Sequence, residues 1–394
     1  MIVDGPHDPR LTRQALDHIE SGTTDMAESV LRVPLSYYRS PQLADKELEL
    51  LRRTPIALAM TGELPAPHDY LVRKILGISV LVSRAVDGTA RAFLNYCRHR
   101  GAQPASGCGN TRRFACPYHG WVYDSLGMLV GIPGASGFAE IDREATGLVE
   151  LPSEERHGIL WATLTSGAEL DLDAHLGPLA EELDEWKLAE YVPLTHREFE
   201  GDVNWKAALE AFAESYHFPY VHGNSIVGQN TMSDITVQVA LGRHQRVCFP
   251  LAWIDKKASN LEPVRNLAMI YWIWPNLVVA FSEIGAELID ILPNLDASGR
   301  ADPSRCTVRH GWASRRPAAS DAERSAYEQL YEQVHAALRD EDFGVLPQCG
   351  RAIAYAQHGH MIIGRNEIGV QHVVGTFCQA LGVDLHSSTE TAAR

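Results

Sequence analysis

Long hydrophobic runs are missing from this chain. No stretch reaches the roughly 18 apolar residues that a spanning helix requires, so no membrane partner is expected. Positive charge is also scarce: 35 Lys and Arg stand against 50 Asp and Glu, a net charge of -15. A surface of that sign repels phosphate backbones, and nucleic acid is not an expected partner. The opening MIVDGPHDPR lacks the basic-then-apolar pattern of a secretory leader, which makes the cytoplasm the expected compartment. Cysteine is sparse and odd in number, seven in 394 residues. That argues against a disulfide framework and for a metal or redox role of a subset. Internal repeats and low-complexity blocks are absent. The nearest approach to a dinucleotide fingerprint, GCGNTR at 107 to 112, lacks the third glycine and a following helix.

What is present is an ordinary globular composition, 45% hydrophobic and 22% charged, long enough for two or three domains at roughly 100 to 200 residues each. Residues 1 to 37 read as a helical lead-in that packs with the later domain, with Leu11, Ala15, Leu16 and Ile19 near one face and Gly22 ending the helical run. Helical character extends to about residue 40. Residues 38 to 165 change to short β-rich runs such as DYLVRKI and ISVLVSRAV, separated by Gly, Pro and Asp turns. Residues 166 to 394 mix helices near 178 to 190 and 204 to 218 with strands such as MIYWIW, NLVVAF and CTVRHGWA. Ser320 and Glu323 form a capping box before one more helix, and the tail LHSSTETAAR is expected to fray. The fold class expected is α+β: an all-β domain, then a domain built on an antiparallel sheet flanked by helices.

The all-β region contains CRHRGAQPASGCGNTRRFACPYHGW. Cys97 and His99 form C-x-H, sixteen residues follow, and Cys116 and His119 form C-x-x-H. Two loops, each offering one thiolate and one imidazole, are the ligand set of a Rieske 2Fe-2S centre. Cys2His2 is also a zinc set, although zinc fingers pair like with like. Cys108 lies between the pairs and reads as a loop residue. The blocks C-R-H-R-G and C-P-Y-H-G-W resemble those of the Rieske oxygenases, in their large or α subunit. The resemblance implies that Cys97 and Cys116 hold one iron and His99 and His119 the other.

The second region, NWKAALEAFAESYHFPYVH, contains Glu214, His217 and His222. Glu214 and His217 share a face if helical, whereas His222 is out of phase, so the helix must bend or end near Pro219 for both rings to meet one metal. Two histidines and a carboxylate form the facial triad of non-haem Fe(II) oxygenases. Buried, hydrogen-bonded core histidines are the bland alternative. The resemblance extends here: it implies iron ligands at His217 and His222, and at Glu214 a carboxylate bridging to the cluster of a neighbouring subunit. The family usually has Asp there; Glu resembles some quaternary-amine monooxygenases. In DEDFGVL the resemblance implies a third ligand at Asp342, with Asp340 as the alternative.

Taken together, the resemblance implies one Rieske cluster and one mononuclear Fe(II) per chain, O2 as co-substrate and a head-to-tail homotrimer. NAD(P)H electrons would arrive from a separate reductase, directly or through a ferredoxin. The expected activity is hydroxylation, mono- or di-, of a small organic and preferentially aromatic substrate. Oxidative N- or O-demethylation, quaternary-amine monooxygenation and a Rieske electron carrier without catalytic iron are the rival readings. Phe212, Phe218, Ile226, Val227, Met232, Ile270, Trp272, Trp274 and Phe281 are equally readable as pocket lining or as core.

Overall fold

The computed structural model describes residues 6–254, 261–356 and 359–385, so the tail beyond Leu385 lies outside the described residues. Two compact units emerge. One holds Glu49–His175 with Lys187–Glu190, and the other holds the remainder. The boundary expected at 37/38 therefore falls eleven residues early, 48 − 37 = 11. Tyr37, Tyr38 and Glu47 are buried against Trp205 and Lys206, which ties this stretch to the second unit.

The first unit is β-rich. Its five-stranded antiparallel sheet runs in the order Glu150–Leu151, Ala90–Leu94, Ile78–Arg84, Asp69–Ile75, Cys108–Asn110. The central strand Ile78–Arg84 is buried along almost its whole length, as the continuous apolar run ISVLV requires. A three-stranded sheet, Arg113–Ala115, Val122–Asp124 and Leu129–Gly131, carries the second Cys/His pair in its first turn. Cys108 lies in an exposed edge strand rather than in a loop.

The second unit is built on a seven-stranded antiparallel sheet. Six strands from Val237–Leu241 to Ala301–Ser314 follow one another as a meander, and the earlier strand Val192–Gly201 pairs with the last of them. Residues 202 to 236 leave the sheet between these edges and carry His217 and His222. The helix expected at the N-terminus is shorter than the reading to residue 40. It spans Pro9–Ser21 and ends at left-handed Gly22, after which Leu31–Pro34 becomes a strand paired with His360–Ile363. Among the described residues no helix is long and apolar enough to cross a membrane.

The segment before the histidines is anchored by a buried polar cluster. Asn204 caps the helix Trp205–Glu210 by accepting from the Lys206 amide, and its Nδ2 donates to the carbonyl of Tyr38 at 2.6 Å. The Lys206 ammonium is fully buried, 2.5 Å from Glu47 and 3.5 Å from the centre of the Tyr37 ring. Glu210 accepts from the Tyr38 hydroxyl at 2.8 Å, and burial raises its carboxyl from 4.5 to about 8. A carboxyl with a raised pKa contributes stability that is complete below 4.5 and lost as pH climbs towards 8, by about 1.4 kcal/mol per unit within that window. Glu210→Gln removes that loss. Its melting temperature relative to the parent is expected to rise progressively from pH 5 to pH 8, and a difference independent of pH would count against a protonated Glu210.

Candidate metal centres

The two cysteine-histidine loops of the first unit are built alike. In one, the amide of Cys97 donates to the carbonyl of Ala102 (2.8 Å) and that of Gly101 to Cys97 (2.9 Å). In the other, Cys116 donates to Trp121 (2.7 Å) and Gly120 to Cys116 (2.9 Å). Each loop closes on a glycine with left-handed backbone, φ 78° at Gly101 and 69° at Gly120, where a side chain would be strained. Cys97 and Cys116 are buried, whereas His99 is half-buried and His119 exposed. The rings of His99 and His119 lie 4.6 Å apart, with Trp121 stacked on His99 at 4.9 Å.

This donor set fits a cluster divided between sulfur and nitrogen ligands. The amides of Tyr118 and His119 donate to the Cys116 sulfur, and the Tyr123 hydroxyl lies 3.2 Å from the Cys97 sulfur. Such donors stabilise anionic sulfur and tune a cluster's potential. Burial and the neighbouring His119 and Arg100 hold His99 below its usual value, so its ring is kept neutral, as a metal ligand must be.

In the second unit the chain breaks where a metal site needs it to, but not at Pro219. The helix Trp205–Glu210 tightens into a single 3-10 turn and stops. Glu214 is extended, with φ -152° and ψ 165°. Pro219 instead occupies the first turn of a new short helix, Phe218–Val221, where its missing N–H costs nothing. Glu214 does touch His217, yet through this turn rather than along a helix face. Its Oε2 accepts from the amides of Tyr216 and His217, and its Oε1 lies 2.5 Å from His217 Nδ1.

The other side of the site comes from the helix that begins at Asp321. Ser320 caps it by accepting from the Glu323 amide, and Glu323 reaches back to the amide of Ala319 rather than that of Ser320. The helix does not end before the acidic cluster, because it widens into a π-helical turn over Ala337–Asp342 and continues as Phe343–Tyr355. Of the three acidic residues, Asp342 reaches both imidazoles, 3.1 Å from His222 Nε2 and 3.5 Å from His217 Nε2. Asp340 is exposed and paired with Arg339. Glu341, not singled out by the sequence, lies 2.6 Å from His222 Nδ1.

His217, His222 and Asp342 thus place three ligand atoms within 4.8 Å of one another. Each histidine turns Nε2 to the common point and Nδ1 to its own carboxylate, the arrangement that fixes tautomer and orientation in metal-binding histidines. Burial disfavours a charged His217, but Asp342 and Glu214 outweigh it and raise the ring to about 9. A site that draws positive charge so strongly suits a divalent cation, and two imidazoles with one carboxylate suit ferrous iron.

Known proteins share both parts of this architecture. A Rieske [2Fe-2S] domain model matches residues 54–142, and a model of the ring-hydroxylating alpha subunit catalytic domain matches 183–377. The chain belongs to the Rieske oxygenases. The family's catalytic domain binds a mononuclear iron. A carnitine monooxygenase oxygenase subunit from Acinetobacter baumannii is 31% identical over 61% of this chain and 66% of its own length. The large component of naphthalene 1,2-dioxygenase from Pseudomonas putida is also 31% identical, over 55% of this chain and 50% of its own. The alignments therefore span less than two thirds of these relatives. Among solved structures, a quaternary ammonium Rieske monooxygenase superposes with a TM-score of 0.75 at 20% identity, covering 89% of this chain and 96% of that one, a likeness of fold.

Within this Rieske oxygenase, a cavity of about 460 Å³ opens onto the triad. Phe212, Phe218, Ile226, Val227, Ile270 and Phe281 line it, together with Phe249 and Trp312. Trp272 and Trp274 pack instead against Phe377 and belong to the core, and Met232 is not part of the lining.

Asp342→Asn is expected to lower iron by about one atom per chain while leaving about two irons and two sulfides in the cluster, whereas Asp340→Asn keeps about three. Metal and sulfide quantification decides between them. Glu341→Gln is expected to weaken iron binding at the triad about 10- to 100-fold, read by competition with a chelator. Unchanged retention would remove Glu341 from the site.

Proposed function

We propose that this chain is the terminal oxygenase of a multicomponent system and inserts one oxygen atom of O2 into a small organic substrate. Substrate C–H, O2, two electrons and two protons give the hydroxylated product and water. The supporting observation is the convergence of His217, His222 and Asp342 on the wall of a largely apolar cavity. In this reading Cys97, Cys116, His99 and His119 would hold the cluster, and His217, His222 and Asp342 would hold an iron that would supply dioxygen activation. The apolar lining excludes water and orients the substrate beside that triad. Electrons come from a separate NAD(P)H-dependent reductase, in keeping with a chain that carries no dinucleotide fingerprint.

Glu214 fixes His217 and, in the same proposal, accepts a hydrogen bond from a cluster histidine of a neighbouring subunit. A closed head-to-tail ring, such as a homotrimer, supplies that neighbour. Inter-subunit electron transfer has been described for a solved quaternary ammonium Rieske monooxygenase of this fold. Glu rather than Asp at position 214 resembles some quaternary-amine monooxygenases, and with a monooxygenase and an N-demethylase among the relatives it supports monooxygenation, including oxidative demethylation, over arene dihydroxylation.

Anaerobically purified protein is expected to contain about three irons and two sulfides per chain with a Rieske EPR signal on reduction. About two irons after reconstitution would leave an electron carrier, and a colourless zinc protein would end the proposal. Glu214→Gln is expected to retain both metals and their spectra yet lose most reductase-driven turnover. Near-normal turnover would rule out the bridging role.

A further inference from the structure

The cavity lining contains carboxylates of several kinds. Glu214 and Asp342 belong to the iron site, and Glu283 is paired with Arg265 at 2.8 Å. Glu287 is different, because no basic side chain meets it among the described residues except the imidazole of His310. Arg265, the one Lys or Arg among the described lining residues, is already committed to Glu262 and Glu283.

Glu287 sits on the strand Gly285–Leu295, in register with Trp312 on one side and Ala280 on the other, and all three line the cavity. Its Oε2 lies 3.1 Å from His310 Nε2, and His310 Nδ1 lies 3.1 Å from His335 Nδ1. Both rings are buried, and the Tyr331 hydroxyl fixes the backbone carbonyl of His310 at 3.0 Å. Burial and the adjacent His310 push His335 down to about 4, so its ring is neutral at ordinary pH. His310 Nε2 donates to the Glu287 carboxylate, and its other nitrogen meets His335, so the two rings orient that carboxylate.

Glu287, 26% exposed and bonded through Oε2 to one imidazole, keeps acceptor capacity for a cationic group entering the cavity. An anionic ligand would meet repulsion there. Trp312, its cross-strand partner, is part of the same cavity wall, and an indole ring attracts an alkylammonium group. We propose that the substrate of this cavity carries a cationic nitrogen, and that Glu287, set by His310 and flanked by Trp312, is the subsite that holds it. This rests on the reading of the cavity as the substrate site. It adds a specificity-determining residue to the cavity wall, on a strand apart from the helix that carries Asp342.

The test uses the iron-loaded holoenzyme and two probes of the same shape, choline and its uncharged isostere 3,3-dimethylbutan-1-ol. Calorimetric titration is expected to show choline binding at least tenfold more tightly, and Glu287→Gln, which keeps an acceptor for His310, is expected to reduce that preference to less than threefold. Trp312→Leu should weaken choline selectively. Equal binding of the two probes by the unmodified enzyme, binding of neither, or a preference that survives Glu287→Gln overturns the subsite. The unmodified comparison decides even if a variant fails to fold. Iron and sulfide counts on the same samples keep the two readings apart: loss of the mononuclear iron sinks the oxygenase proposal, while intact iron with no preference for the cation sinks only the subsite.

Discussion

Two imidazoles five residues apart cannot meet one ion from a regular helix, and much of the second unit is arranged around that constraint. The chain must leave helical geometry between Glu210 and Phe218 and still hold both rings within ångströms. Glu214 does this by using one carboxylate twice. One oxygen caps the Tyr216 and His217 amides, so the broken backbone keeps its hydrogen bonds, and the other orients the His217 ring. Upstream, the anchor of Asn204, Lys206 and Glu47 holds the preceding helix in place. The motif N-W-K is therefore structural: none of its three side chains lines the cavity, and all three are buried.

The two metal centres have opposite surroundings, and the difference suits their chemistry. In the first unit the thiols are buried, while His99 is half-buried and His119 exposed. In the second unit three carboxylates, Glu214, Glu341 and Asp342, enclose two inward-facing imidazoles. The lowering of His99 in the first case and the raising of His217 in the second follow from those neighbours.

The sequence disclosed whatever local spacing encodes. C-x-H and C-x-x-H located both loops, and the runs DYLVRKI, MIYWIW and CTVRHGWA became strands. Spacing requires the break in the second motif, but it falls before Pro219: the chain turns extended at Glu214, whose carboxylate then caps the amides of Tyr216 and His217. The D-E-D cluster could not be resolved, because the choice depends on which side the helix presents. Glu341 and the Glu287–His310–His335 series were invisible for a different reason. Their partners lie 119, 23 and 25 positions away, and no single-chain pattern marks such pairings.

The π turn explains why the acidic cluster was hard to read and why the site works. Leu330, Val334, Leu338 and Asp342 recur every four residues and all line the cavity. On a regular helix each such step advances about 40°, so three steps would swing Asp342 about 120° from Leu330. A turn that bonds five residues apart is wider and winds more slowly. Placed over Ala337–Asp342, it takes back part of that drift in the last step. Asp342 then returns to the stripe set by three apolar residues while Asp340 faces solvent and Arg339. The helix thus supplies an apolar wall over about two turns and Asp342 at its end, and the irregular winding joins the cavity to the cluster of His217, His222 and Asp342 on one continuous element.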